Sequence, residues 1–339
     1  MSFSYRKLRF LVIIFFAFLI SPLLFLPLNA CKINSLEKVE ETNEHMGTFV
    51  NIIVYSDEAA AHRAIDSAFD RIEEIEKIAS IYDENSEISS LNKNGYLDNP
   101  SEELTELINK SLYYYNITDG SFDITVQPII DLWSGGLWEE SKEVQEEKIK
   151  EALSVVGSNK IIINKDRIEF GVKGMTITLG GIAKGYGIDE ALKVIKDMGI
   201  KHALINAGGD IGTIGSKPDG EMWNVELKNP DENSQEKLPS FSFLNKAIAT
   251  SGNYERYFDP DKEVHHIIDP SNGQSANKCI SVTIITETCM EADALATSVF
   301  VMGSEDGLNL VESLDKVEVL IIDSERNIYK SSGLSDYLK

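Results

Sequence analysis

Three cysteines in 339 residues leave little material for a disulfide scaffold. Cys31 stands alone near the start, while Cys279 and Cys289 flank ISVTIITET, an alternating β-rich segment whose ends lie about 30 Å apart when extended, beyond disulfide reach. Two free thiols are therefore expected in the body of the protein, and no residue spacing suits zinc. Positive charge is also scarce: 32 Lys and Arg face 55 Asp and Glu, for a net charge of −23. That balance excludes nucleic-acid binding through a basic surface and charge-driven adhesion to anionic lipid. An anionic substrate must be held by something local, such as a metal ion or a helix N-terminus, because the overall field repels it. Internal repeats are missing, as is any long linker within residues 46–332. The familiar nucleotide fingerprints are missing too. ITLGGIAKGYGIDEAL (Ile177–Leu192) is glycine-rich ahead of an amphipathic stretch, yet Lys184 precedes Gly185 rather than following it, and Gly185 and Gly187 are followed by Glu190 where a dinucleotide fold needs glycine. A phosphate site and a tight packing turn both remain open readings of this stretch alone.

What the chain does contain begins with an export signal. Arg6, Lys7 and Arg9 precede LVIIFFAFLISPLLFLPLNA, which is apolar almost throughout. It ends in LNAC (Leu28–Cys31), which resembles a bacterial lipobox, with Cys31 as the lipidated residue and Asn29 in place of the more usual small one. An uncleaved membrane anchor is the alternative; either way the body is exported. Residues 1–30 read as a lipoprotein signal peptide, 31–45 as an acidic tether, and 46–339 as the functional domain.

Within that domain the element types alternate. MGTFVNIIVY reads as a strand, and EAAAHRAIDSAFDRIEEIEKIAS as a long helix with Ala64, Ala68, Ile72, Ile75 and Ile78 along one face. Helices are expected over residues 101–116 and 143–150. Strands are expected at KIIIN, RIEF, MTITL, HALINAGGDIGTIG and WNVELKNP, then at KAIATS, HHIID, ISVTIIT, VEVLIID and NIYKS. A helix spans residues 290–302, and NPDENSQEKLPS reads as a polar surface loop. The sum is one α+β unit.

In TCMEADALATSVFVMG, Thr288 and Glu291 match a capping box, and Asp293 and Thr297 fall at i and i+4 on one helix face. A carboxylate plus a hydroxyl suits Mg²⁺, which takes few protein ligands and fills the remainder with water and substrate phosphate. The competing reading is an acid placed favourably near a helix N-terminus and a threonine bonding its own backbone.

Taken in order, MGT, SIYDENSEISSLN, GSFDITVQPIIDLW, LGGIAKGYGID, INAGGDI, ATSGNYERYF, HIIDPSNG and EADALATS resemble the ApbE family of FAD:protein FMN transferases over roughly residues 46–323. The resemblance implies a fold of mixed, largely antiparallel sheets flanked by helices. It implies cleavage of FAD, release of AMP, and transfer of FMN to a threonine or serine hydroxyl of an exported acceptor protein, on the outer face of the bacterial cytoplasmic membrane. Asp293 and Thr297, with the Gly181 carbonyl, would hold Mg²⁺, and Asp293 would be essential to catalysis through it. Met46, Tyr82, Ser121, Phe122, Asp123, Thr178 and Lys184 match positions that line the FAD pocket, and His266 matches a pocket histidine suited to accept the hydroxyl proton. The chain departs from the family in two places. Thr178 stands where D-L-G-G would put Asp, and DPSNG replaces D-P-x-T-G. A Mg²⁺-dependent FAD pyrophosphatase and a non-catalytic flavin-binding lipoprotein are the other readings.

Overall fold

The computed structural model describes residues 36–228, 239–261 and 263–339. The signal segment, the lipobox Cys31 and most of NPDENSQEKLPS lie outside the described residues. An eight-stranded, wholly antiparallel sheet forms the centre, in the order β1 (Glu37–His45), β2 (Thr48–Ser56), β6 (Ala203–Ala207), β7 (Asp210–Ile214), β10 (Ala247–Gly252), β11 (Cys279–Thr286), β12 (Glu318–Asp323) and β13 (Ile328–Lys330). Period-two alternation divides its side chains between two cores. Ile205, Val282, Ile284, Val319 and Ile321 pack toward the helices, while Leu204, Ile285, Leu320 and Ile322 pack toward the opposite face.

Three helices dominate the helical side: α1 (Glu58–Ala79), α6 (Ala183–Asp197) and α7 (Cys289–Met302). α1 is amphipathic, burying Ala64, Ile65, Ala68, Ile72 and Ile75, and its first turn is closed by Asp57, whose carboxylate accepts the Ala60 N–H at 3.1 Å. α7 differs in being apolar nearly all round, as befits a helix enclosed by α6, β10 and β11. The other face is covered by a two-stranded hairpin, β8 (Trp223–Glu226) with β9 (Ser240–Phe243), whose Trp223, Phe241 and Phe243 are buried. A small sheet of β3 (Tyr96–Asp98), β5 (Arg167–Phe170) and β4 (Ile161–Asn164) accompanies α2 (Glu87–Asn94), α3 (Glu102–Ile117), α4 (Gln127–Ser134) and α5 (Lys142–Leu153). A nine-residue helix following α7, α8 (Ser304–Glu312), leads into β12. Among the described residues no helix is long and apolar enough to cross a membrane. Cys279 and Cys289 are buried free thiols.

The structure corrects three expectations. Residues 37–45 are no tether but the edge strand β1, and Met46-Gly47 form the two-residue turn into β2, both with positive φ (52° and 70°). A glycine as the second residue of a two-residue turn was the available signal. MTITL (175–179) is not a strand. Its backbone is held by a side chain and a backbone carbonyl: Asn92 donates to the Ile177 carbonyl and accepts the Ile177 N–H, both at 2.8 Å, and the Thr178 N–H donates to the Ile124 carbonyl at 2.8 Å. HHIID (265–269) has only isolated bridges, Tyr257 with His265 and Ile268 with Ser275. Alternating apolar residues mark burial in both segments, but no neighbouring strand runs alongside to make a ladder.

Candidate active site

Two of the four glycines in GGIAKGYG are explained by packing. A Cβ on Gly185 would lie 2.3 Å from the Cys289 carbonyl oxygen, and one on Gly187 would lie 3.0 Å from Cε of Met46. The glycines thus let α6 press against the start of α7 and against the β1–β2 turn. Asp189 secures the same crossing by accepting the N–H groups of Cys289 and Met290 at 2.8 and 2.9 Å, capping α7 from outside its own chain segment. Burial raises its carboxyl to about 7, against the pull of those two bonds. Thr288 also caps α7 through the Glu291 N–H at 3.4 Å, while the Glu291 carboxylate turns to the Thr286 hydroxyl instead of closing the box.

That crossing brings the predicted ligand residues together. Asp293 is 6% exposed, and its Oδ2 accepts the Gly185 N–H at 3.1 Å. Thr297, one turn on, keeps partial access where its helical neighbours are buried. A Cβ built on Gly181 would fall 3.3 Å from Thr297 Oγ1 and 3.3 Å from Phe122, so the Gly181 backbone lies directly against that hydroxyl. The carboxylate, the hydroxyl and the glycine backbone are hard oxygen donors in one place, and burial raises the Asp293 carboxyl above its ordinary range, with Lys184 opposing. A buried carboxylate of that kind is relieved by a cation, so the residues fit Mg²⁺. Among the described residues no group of three or more His, Cys, Asp and Glu could hold a metal, as expected where only one ligand is a carboxylate.

Lys184 reaches inward. Its Nζ pairs with Asp210 and lies 3.8 Å from Asp293 Oδ2. Ser251 adds a hydroxyl 3.3 Å from Thr297 Oγ1. Neither Asp210 nor Ser251 stands out in the sequence, although both lie in stretches that carry the resemblance; a lone polar residue within a strand gives no periodic signal.

The other predicted pocket residues are divided. Asp123 is buried and its carboxylate is engaged by the Thr125 N–H and hydroxyl and by Ser158, so it holds a turn. Phe122 is core, edge-on to Tyr114 at 5.9 Å and backing Gly181. Tyr82 is 82% exposed, and its ring is available to a planar ligand. Thr178 accepts the Gly180 N–H at 3.2 Å, and Ser121 is half-buried with its N–H donated to Thr118. Met46 is fixed by its N–H to Glu76 at 2.9 Å and by its sulfur over Gly187.

His265 and His266 are separated by their surroundings. His265 is buried, with Nε2 on the Ala276 carbonyl at 2.8 Å and Nδ1 accepting the Ile267 N–H, and its ring meets Phe300 of α7 edge-on at 5.8 Å. Both its nitrogens are occupied. His266 places Nδ1 3.2 Å from the Arg256 carbonyl, which can only accept, so the proton sits on Nδ1 and Nε2 keeps its lone pair. Burial lowers His266 to about 4, so the ring is neutral at pH 7. It shares no hydrogen bond with Asp293 or Thr297 among the described residues; His265 against Phe300 is what ties its segment to α7.

Comparison with known proteins places these residues in context. The family model described as ApbE family matches residues 46–321. The FAD:protein FMN transferase of Vibrio cholerae is 29% identical over 312 residues, covering 89% of this chain and 93% of the relative. That of Treponema pallidum is 27% identical, covering 87% of each. Among solved structures, the ApbE protein from Thermotoga maritima superposes with a TM-score of 0.80 at 31% identity, over 89% of this chain and 100% of that one.

Proposed function

The chain belongs to the ApbE family, and from that premise we propose that it transfers FMN from FAD to a threonine or serine hydroxyl of an acceptor protein, releasing AMP. The observation that carries the reading is the α6–α7 crossing, which sets Asp293 and Thr297 against the glycine backbone at 181–185. Such a transfer needs neutralised phosphate oxygens and an aligned nucleophile more than covalent help from the enzyme. Asp293, Thr297 and the Gly181 carbonyl would hold Mg²⁺, which when bound supplies positive charge to the diphosphate. The acceptor hydroxyl oxygen forms a bond to the FMN phosphorus as the bond from that phosphorus to the AMP oxygen breaks. Nε2 of His266, neutral with its Nδ1–H held by Arg256, takes the hydroxyl proton. Tyr82 offers an exposed ring to the flavin.

Incubation with FAD, Mg²⁺ and an acceptor protein, following AMP and covalent flavin separately, tests the reading. Equal release of AMP and protein-bound flavin supports transfer; AMP with free FMN makes the protein a pyrophosphatase, and binding without AMP makes it a carrier. We further propose anchoring at the outer face of the cytoplasmic membrane through a lipid on Cys31. Cys31→Ala should then release the protein or leave it unprocessed. A variant that fractionates with membranes and is correctly processed overturns the anchor.

A further inference from the structure

Asp210 opens β7 at the end of INAGGD and is 3% exposed, yet the proposed transfer assigns it no role. Its Oδ1 takes only a long bond, 3.4 Å, from the Thr250 N–H. Its Oδ2 is met by the ammonium of Lys184. The same ammonium stands 3.8 Å from Asp293 Oδ2. One cation therefore serves two buried carboxylates that come from different elements, β7 and α7.

We propose that Asp210 is a positioning residue that holds the Lys184 ammonium away from Asp293 and so sets the divalent-cation affinity of the Asp293 site. The inference rests on the Mg²⁺ reading above and concerns residues outside the ligand set. A charge count gives the direction. Asp210, Asp293 and Lys184 together carry one net negative charge, and a divalent ion arriving at Asp293 meets attraction. Were Asp210 neutral, Lys184 would be left to Asp293 alone, the group would be neutral, and the ammonium would compete with the metal for the same oxygens. Were Lys184 absent, two carboxylates would face the ion with no rival. Inside a buried cluster these terms are little screened by solvent salt. A bridge that merely fastened α6 to β7 would act otherwise, since breaking it from either end would loosen the site and weaken metal binding alike.

The test is calorimetric titration of the full chain with Mg²⁺ in the absence of FAD, with thermal denaturation to confirm folding. Asp210→Asn, nearly isosteric, should weaken Mg²⁺ binding by about tenfold or more, the usual range for partners that orient metal ligands. Lys184→Met, with Lys184→Gln as the second variant, should tighten it by a comparable factor. The double variant, which restores the net charge, should return to within about twofold of the unaltered protein. The proposal is overturned if Asp210→Asn binds Mg²⁺ within about twofold of the unaltered chain, or if both single variants weaken binding. Asp293→Ala separates this from failure of the metal reading: if it retains normal Mg²⁺ affinity, the ion binds elsewhere and both readings fall.

Discussion

Asp293 and Thr297 stand on a helix buried along most of its length and braced by α6, β10 and β11, whereas His266 stands on a segment held by two isolated bridges. The contrast matches the roles proposed for the two halves. Ligand oxygens have to be fixed relative to one another, and a helix fixes residues four apart through its backbone. The proton acceptor proposed at His266 needs one free nitrogen and its other nitrogen occupied, and the Arg256 carbonyl supplies the second condition. The loop is still anchored, because the Trp133 indole donates to the Gly273 carbonyl at 2.8 Å and His265 packs on Phe300.

The contrast can be broken most forcefully at Asp293. Asp293→Ala should abolish AMP release and covalent flavin transfer together, by about a thousandfold or more given the several kcal/mol a bound metal supplies, while circular dichroism reports an intact fold. Near-normal activity that still requires Mg²⁺ would move the metal site off α7. His266→Ala should lower transfer by roughly 10²- to 10⁴-fold with FAD affinity retained. A parallel loss of binding makes His266 a pocket wall.

The unaltered protein sharpens the second point through pH. The His266 pKa is lowered to about 4, so the neutral base persists through mildly acid solution and the acidic limb of transfer should fall near pH 4. A limb near 6.5 would mean an exposed, ordinary histidine. For stability the sign is the same: the unfolded chain binds the proton first, so this group's contribution is lost as pH falls from about 6.5 toward 4.

Smaller effects probe the brace. Gly185→Ala places a Cβ 2.3 Å from the Cys289 carbonyl and should cost about 1–3 kcal/mol, read as a lower melting temperature together with weaker Mg²⁺ binding, because the crossing must open. The same substitution leaving both unchanged would show that the crossing does not set the ligand geometry. Asp189→Asn is the mildest. The carboxyl of Asp189 is raised to about 7, so the native state binds its proton more readily than the unfolded chain, and its contribution to stability is lost as pH rises through 7. Melting temperatures across pH 5 to 8 should show that slope in the unaltered protein and lack it in the variant.

Periodicity made the regular elements legible. α1, the residues 290–302 helix and the β10, β11 and β12 strands all fall where the apolar spacing put them, because burial on one face is a local pattern. It misled at MTITL and HHIID, where apolar alternation reflects burial among side chains, and at residues 37–45, whose acidic, exposed composition is that of an edge strand as much as of a tether. For the site, the i, i+4 pair of Asp293 and Thr297 was visible because both residues lie on one helix. Asp210, Ser251 and the cap from Asp189 were not, since each meets its partner from another element of the fold, Asp210 with Lys184, Ser251 with Thr297 and Asp189 with Cys289.

The amino-acid sequence by itself determined the acidic balance, the α+β order of elements and the chemistry available at Asp293, Thr297 and the glycines. Those are properties of composition and of neighbours along the chain. Only the tertiary structure decided that Gly185 and Gly187 serve helix packing, that Asp123 is committed to a turn, that Lys184 is shared between two carboxylates, and that His266 rather than His265 keeps a free nitrogen. Each depends on which distant backbone or carboxylate comes within about 3–4 Å, and hydrogen bonds and ion pairs are decided at that range.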